Sequence, residues 1–381
     1  MTPSETNAME DSQRIRVRAE TLKAFCRRLF EKLGVSEEDA TIAAEVLVAS
    51  DLRGIESHGV ARLRTHYINR ILTGAVPPRS QERVIHETLV TAVVDGGGGL
   101  GHPTAYRAMK LAIDKASKVG AGFVTVRNSN HFGIAGYYAM MALEQNCIGL
   151  AMTNGNRWLV PTFGRDPMLG TNPIALAAPS GRERPFVLDM ATSAVPVGKV
   201  EVAERHGKTI PPGWATDKNG LPTTDPGPFL RDARESLGGG MLPLGGAGEL
   251  MGGHKGYGLA AWVDIFCGVL SGGAYSDQIF GLEAPGSRKP GILGHFFGAW
   301  QVEAFGPLLN FEAAMDDWQG RLKGSRKAEG QDRIFVAGEK EFEEAERRQR
   351  DGIPLQDIVF EDLQALGAEY GVEIKPLDSQ P

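Results

Sequence analysis

Cysteine is scarce in this chain: Cys26, Cys147 and Cys267 are the only three in 381 residues, and no two form a C-x-x-C pair. That excludes a disulfide framework or a zinc finger and fits buried thiols in a reducing cytoplasm. Long apolar runs are missing too. Nothing approaches the roughly 18 apolar residues of a membrane span, and MTPSETNAMEDSQRIRV lacks the apolar core of a signal or transit peptide. Positive charge is not in excess: 41 Lys+Arg against 47 Asp+Glu leave a net charge of −6, with no basic run to follow a phosphate backbone. Nucleic acid and membrane are therefore not expected partners. The eight histidines form no HExxH pattern and no cluster with acids, so no metal is expected.

Glycine is what the chain has in plenty. There are 49, nearly twice the ~7% of an average protein, and 37 of them fall in residues 95–298 against four in 1–94. Glycine clusters where backbone must approach something closely, so the middle of the chain is where a ligand is expected.

Apolar periodicity divides the chain. Residues 1–15 are expected to be a disordered tail. Leu22, Phe25, Leu29 and Phe30 have helical spacing up to Gly34. Ser36 and Asp39 resemble a capping box ahead of Ile42, Ala43, Val46 and Leu47, and 60–74 reads as a third helix. Strands are then expected at 89–95, 122–127 and 147–153, alternating with helices at 103–119 and 136–146. The closely spaced runs NPIALAAP and PFVLDMA suggest that part of the sheet is antiparallel. Further on, 256–269 reads as a buried helix, 281–294 as an exposed loop, 333–337 as a strand and 339–352 as a charged helix.

Several segments could carry chemistry. Gly96 to Gly101 satisfies G-x-G-x-x-G after a strand, but the next strand ends in Arg127, Asn128 and Ser129, not in the acid that a dinucleotide ribose needs. A glycine turn against other backbone is the preferred reading. Ser57-His58-Gly59 precedes Arg62, at i+4 from His58. A guanidinium can hold a carboxylate through two hydrogen bonds while the imidazole exchanges a proton on the neighbouring carbon's oxygen, which suits a 2-oxo or 2-hydroxy acid. Asn128 to Gly133 joins a strand to a helix and contains His131. Asp189 closes the strand PFVLD, and Gly170-Thr171-Asn172 opens another. Residues 238–258 hold ten glycines before a buried helix and include His254-Lys255, which suits phosphate, although the P-loop spacing is absent.

The order of these segments is more specific than any one of them. SHGVARL (57–63), DGGGGLGH (95–102), VRNSNHFGIAGYYA (126–139), LGTNPIALAAP (169–179), VLDMATS (187–193), GGHKGYGLA (252–260) and RDGIPL (350–355) closely resemble the malate/L-lactate dehydrogenase family, which is unrelated to the Rossmann-type lactate dehydrogenases. Its relatives include ureidoglycolate, sulfolactate and diketogulonate dehydrogenases and piperideine-2-carboxylate reductase. The resemblance implies an α/β fold of its own, with a mixed-sheet nucleotide-binding domain (86–300) inserted between a helical N-terminal part (16–85) and a C-terminal part (301–381). It implies NAD or NADP as cofactor, a small carboxylate as substrate, and a homodimer or higher homo-oligomer. It implies His58 as proton donor with Ser57 beside it and Asp189 in support, and Arg62 and Thr171 as substrate contacts. The cofactor contacts it implies are His131, Phe132, Gly133, Asp189, Met190, Ala191, His254, Lys255, Gly338, Glu339 and Lys340. In ureidoglycolate-type members the histidine matching His131 is the base instead, so two histidines compete for one role. The family's usual PGERE reads AGEKE here, with Lys340 in place of Arg, which cannot reproduce a bidentate contact. An imino-acid reductase, and a redox-silent lyase or isomerase, remain alternatives.

Overall fold

The computed structural model describes residues 14–280 and 291–377. Two expectations, the tail at 1–15 and the loop at 281–294, fall largely outside them. Ile15–Val17 (β1) is an ordered strand, not a tail and not the start of a helix; it pairs with a segment more than 330 residues away in sequence, described below. The first helix runs Ala19–Lys32 and buries Leu22, Phe25, Leu29 and Phe30. The second, Glu37–Leu52, starts where Asp39 N–H donates to Ser36 Oγ at 3.2 Å, while the Asp39 carboxylate pairs with Arg107. This second helix is buried on two sides. Ala43 and Leu47 join the helical core with Phe25, Leu63 and Tyr67, whereas Ile42 and Val46 join the core over the sheet.

The expected helix over 60–74 is broken into a 3-10 turn at Val60–Arg62, a π-helix at Leu63–Ile68 and an α-helical turn at Asn69–Leu72. A π-turn changes the angular spacing of side chains, and such turns concentrate at functional sites. Here it carries His66 and Tyr67.

The main sheet contains Arg83–Glu87 (β2), Thr91–Asp95 (β3), Ala121–Ser129 (β4), Cys147–Thr153 (β5), Ile174–Ala178 (β6), Phe186–Met190 (β7) and Leu293–Gln301. The small pair Ala215–Thr216 (β8) and Pro222–Thr223 (β9) forms a separate ribbon, which makes Leu293–Gln301 β10. The order is β2-β3-β4-β10-β5-β6-β7, and only β3 and β4 pair in parallel. The helical crossover between β4 and β5 is present, yet the two do not touch. β10 lies between them, antiparallel to both. Being buried on both faces, β10 has no alternation to betray it, and Gly294 and Gly298 interrupt its apolar run. Gly294 is needed there, since a Cβ would lie 1.9 Å from the Cys267 carbonyl oxygen.

Side chains alternate across this sheet. Val124, Val126, Ala151 and Phe297 face the helices Gly101–Val119 and Ala135–Met141, whereas Leu150, Met152 and Phe296 face Val263 and Cys267. The latter two belong to a helix, Gly253–Asp264, continued by a π-turn at Ile265–Val269. All three cysteines are buried and unbridged. The expected strand at 333–337 is irregular chain that touches β7 through a single bond, Val187 N–H to the Ala337 oxygen. After the charged helix Glu339–Asp351, Ile353–Leu355 (β11) pairs antiparallel with β1, and the helix Asp357–Tyr370 closes the helical core. Among the described residues no helix is long and apolar enough to cross a membrane.

Candidate active site

The helix Glu37–Leu52 ends beneath the Ser57-His58-Gly59 turn, and Asp51 fixes that turn from below. Its Oδ2 accepts the Val60 N–H at 2.9 Å, and a Cβ on Gly59 would lie 2.0 Å from Oδ1. Glycine is therefore required where the carboxyl passes under the backbone. Arg348 ties the same place to the C-terminal part, donating to the Asp51 carbonyl oxygen at 2.8 Å and to Glu56 at 2.9 Å. Burial pushes the Asp51 carboxyl up to about 8, with Glu56 adding to the rise and the Val60 N–H and Arg348 opposing it.

Above this base the sheet and the helical part bring a group of rings together. The His58 and His131 rings stack with centroids 5.6 Å apart, and His66 meets His131 edge-on at 5.7 Å. The Tyr67 hydroxyl lies 2.6 Å from His131 Nδ1. His102 packs against the Tyr67 ring at 4.6 Å, buried, with no hydrogen-bond partner on either nitrogen among the described residues. Burial keeps these imidazoles neutral: it lowers His102 to about 3, and burial with the nearby Arg62 charge lowers His58 to about 4 and His66 to about 3. His131 is pushed well below the ordinary histidine range by burial and then by its histidine neighbours.

Arg62 is the one nearby cation that depresses His58, His66 and His131 alike. Its Nε donates to the Ser57 carbonyl oxygen at 2.9 Å, and no carboxylate among the described residues pairs with its guanidinium. Ser57 Oγ lies 2.9 Å from His58 Nδ1. Ser57, His58, Arg62 and His131, chosen from spacing and resemblance, are thus brought into one cluster, and the structure adds His66, Tyr67, His102 and Asp51. His102 stood within a quoted motif and Tyr67 four residues beyond SHGVARL, but neither carried a pattern that marks a buried polar contact. Asp51 had no signal beyond a carboxylate following an apolar helix stripe.

Asp189 stands apart from that cluster. It lies near the C-terminal end of β7, accessible at its surface though densely surrounded by protein atoms, and its Oδ2 accepts the Gly136 N–H at 2.7 Å. Burial raises it to about 6, while the Gly136 N–H and Arg53 oppose the rise. No hydrogen bond or ion pair joins it to His58 among the described residues. Met190 pairs with Ile174 on β6, and the Thr171 carbonyl oxygen accepts the Thr192 N–H and hydroxyl. Phe132 stacks on His295 at 4.6 Å and Tyr138 donates to its carbonyl oxygen, which fixes the backbone entering Gly133.

Most glycines of 238–258 fit backbone closely, Gly248, Gly252 and Gly258 being the exceptions. A Cβ on Gly253 would meet the Gly246 oxygen at 1.9 Å, and one on Gly256 the Leu244 oxygen at 2.2 Å. The first amides of the helix that follows are spent internally, His254 N–H on Gly248 O and Lys255 N–H on Gly252 O. What remains for an anion is the Lys255 ammonium, exposed, in no ion pair among the described residues, and lining a cleft of about 490 Å³ with Leu244, Glu249, Met251 and Leu259. The G-x-G-x-x-G run is likewise used by backbone. Asn130 Nδ2 donates to the carbonyl oxygens of Gly98 and Gly99, and a Cβ on Gly101 would meet the Asn130 oxygen at 2.2 Å. Near the C-terminus Gly338 turns at φ +94 against Val187. Glu339 pairs with Lys323 at 3.1 Å and Arg333 at 3.3 Å, and the Lys340 ammonium sits 4.4 Å over the Phe335 ring.

The family profile described as malate/L-lactate dehydrogenase matches residues 17–364. The chain belongs to this family. It is 48% identical over 363 residues to the malate dehydrogenase of Pyrococcus horikoshii, covering 95% of this chain and 98% of that one. The crystal structure of malate dehydrogenase from Entamoeba histolytica superposes with a TM-score of 0.89 at 39% identity, covering 95% and 99% of the two chains. Sulfolactate dehydrogenase from Methanocaldococcus jannaschii superposes at 0.84 with 37% identity, covering 94% and 98%. The mixed seven-stranded sheet with its helical parts is therefore the fold of these enzymes, not a Rossmann fold.

Proposed function

We propose that this chain is an NAD(P)-dependent dehydrogenase that interconverts a 2-oxo and a 2-hydroxy carboxylic acid, with oxaloacetate and malate as its foremost pair. The observation that carries this reading is Arg62, a guanidinium without an acid partner among the described residues, set beside a histidine cluster whose neutrality leaves its charge unshared. Arg62 takes the substrate carboxylate, and Thr171 is a further substrate contact. The family's chemistry implies a nicotinamide cofactor, and the residues present fit one: the Asp189 carboxylate for ribose hydroxyls and the exposed Lys255 ammonium for phosphate. His131 to Gly133, Met190, Ala191, His254 and Gly338 to Lys340 are assigned to the same cofactor. When bound, the nicotinamide supplies or accepts the hydride at substrate C2.

The protein's own part is orientation and the proton. As negative charge grows on the C2 oxygen, His58 donates to it, with Ser57 Oγ holding Nδ1. In the free protein the Arg62 charge opposes protonation of His58. A carboxylate on Arg62 cancels that field, so substrate binding itself favours the imidazolium that the reaction needs. We further assign residues 86–300 as the nucleotide-binding domain between the helical parts, and a cytoplasmic homodimer as the working unit.

Oxidation of reduced nicotinamide, with each cofactor in turn, against oxaloacetate, pyruvate, sulfopyruvate and cyclic imines tests this. Oxaloacetate is expected to be reduced fastest, and His58→Asn to lower that turnover by at least ~10²-fold with nicotinamide affinity little changed. Oxidation with a cyclic imine alone would move the assignment to imino-acid reduction, and none with any 2-oxo acid would overturn it.

A further inference from the structure

Two histidines, His58 and His131, stand where one proton is transferred, and their hydrogen bonds distinguish them. His131 Nδ1 faces two groups, the Tyr67 hydroxyl at 2.6 Å and the Gly133 backbone amide at 3.3 Å. A backbone N–H can only donate, so Nδ1 has to offer its lone pair. The Tyr67 hydroxyl, facing the same lone pair, donates as well. Its proton is secure because burial pushes the phenol well above its ordinary range. The single proton of the neutral ring therefore sits on Nε2, and a second proton could enter at Nδ1 only by turning the Tyr67 O–H away and against the Gly133 N–H, which cannot accept.

The surroundings keep this arrangement in place. Gly133 adopts φ +81, and a Cβ there would lie 2.7 Å from Val46 Cγ1, so the amide that points at Nδ1 belongs to a position only glycine fits. Tyr67 is backed by the buried ring of His102 and carried on the π-turn Leu63–Ile68. The charged and titratable groups around the His131 ring are His58, His66, His102, Tyr67 and Arg62, and no carboxylate among the described residues is there to stabilise a second imidazolium.

His58 differs at the corresponding atom, where no backbone N–H among the described residues points at the nitrogen. Its Nδ1 partner is the Ser57 hydroxyl, which rotates to donate to a bare nitrogen or accept from a protonated one. It can gain and lose a proton without breaking a bond.

We propose that Tyr67 is a positioning residue which, with the Gly133 amide, locks His131 as a neutral Nε2–H hydrogen-bond donor, leaving His58 alone to exchange the proton. This rests on the dehydrogenase reading given above. The lock also spares the stacked pair from carrying two positive charges at 5.6 Å when His58 is protonated.

The test uses the full chain labelled with 15N-histidine, with the His131 signals identified by their loss in His131→Gln. Between about pH 5.5 and about pH 8.5, His131 is expected to show an unprotonated Nδ1 and a protonated Nε2 throughout. A protonated Nδ1 anywhere in that window overturns the proposal. In turnover, His131→Gln keeps an amide N–H near the Nε2 position and is expected to cost about tenfold, the scale of one weakened hydrogen bond. His58→Asn is expected to cost at least ~10²-fold, and the opposite ranking overturns the assignment. Tyr67→Phe removes the closer of the two groups at Nδ1, leaving only the Gly133 contact at 3.3 Å, and should add an ionisation to the kcat/KM profile that the parent lacks, so superimposable profiles also refute the lock. The NMR signals need no substrate. A failed substrate screen with the expected NMR result therefore counts against the dehydrogenase reading and not against the tautomer.

Discussion

Arg62 and Asp51 are both charged residues beside the SHG turn, and they were not equally legible. Arg62 was picked out by its i+4 spacing from His58, yet no common helix face joins them: Gly59 is extended between the 3-10 turns Glu56–His58 and Val60–Arg62, and Arg62 reaches back to the Ser57 carbonyl oxygen instead. If it is the clamp, Arg62→Met should raise KM for oxaloacetate by roughly 10- to 100-fold, the worth of a charge-assisted hydrogen bond, with a smaller change in kcat. An unchanged KM from initial rates removes it from the site. Asp51 was not readable, because nothing in a sequence says that a carboxylate will lie under a glycine backbone. It is held near 8 by burial against an ordinary 3.8. A raised acid binds its proton in the native state where the unfolded chain has lost it, so its contribution to stability is full below about 3.8 and is lost as pH rises toward about 8. Asp51→Asn keeps an oxygen for the Val60 N–H and removes that loss. Thermal unfolding should therefore favour the variant over the parent more at about pH 8 than at about pH 5. A difference that does not vary with pH would contradict it.

At the scale of elements, the helices Glu37–Leu52 and Gly101–Val119 and the strands β3 to β7 followed from periodicity with boundaries shifted by a few residues. β2 and β10 did not. β2 is exposed along its whole length and has no buried face to impose a pattern, and β10 is buried on both faces with two glycines in it. The break of 60–74 into 3-10, π and α turns was invisible for another reason: apolar spacing continues through it while the hydrogen bonding changes. Glycines inside strands bring helices unusually close to the sheet. A Cβ on Gly149 in β5 would lie 2.1 Å from the Ala139 carbonyl oxygen and 2.8 Å from Ala142 Cβ. Backbone cannot step aside as a side chain can, so Gly149→Ala should destabilise by about 1–3 kcal/mol, the range for overpacking a core. The urea midpoint reads this directly, and an unshifted midpoint would mean that the helix moves freely on the sheet.

At the scale of the whole molecule, β1 and β11 join the two ends of the chain, and the helix Glu37–Leu52 is shared between the helical core and the core over the sheet. The histidine cluster sits at that junction, with His58, His66 and Tyr67 from one side and His102 and His131 from the other. Phe163, Leu250 and Met251 stay largely exposed, at 82%, 96% and 78%, an apolar surface that suits the proposed homodimer. Sedimentation equilibrium is expected to return about twice the 41.0 kDa chain mass, and the mass of a single chain would remove the dimer from the proposal. The family and most helices followed from the sequence alone, which also singled out Ser57, His58, Arg62 and His131 as candidates, because local periodicity and ordered motifs are written in neighbouring residues. The tertiary structure alone decided that β10 separates β4 from β5, that the glycine runs pack against backbone, and that Tyr67 and Gly133 meet one nitrogen of His131. Each of these is a contact between residues distant along the chain or a matter of bond direction, and neither distance in space nor the direction of a lone pair is encoded by residue order.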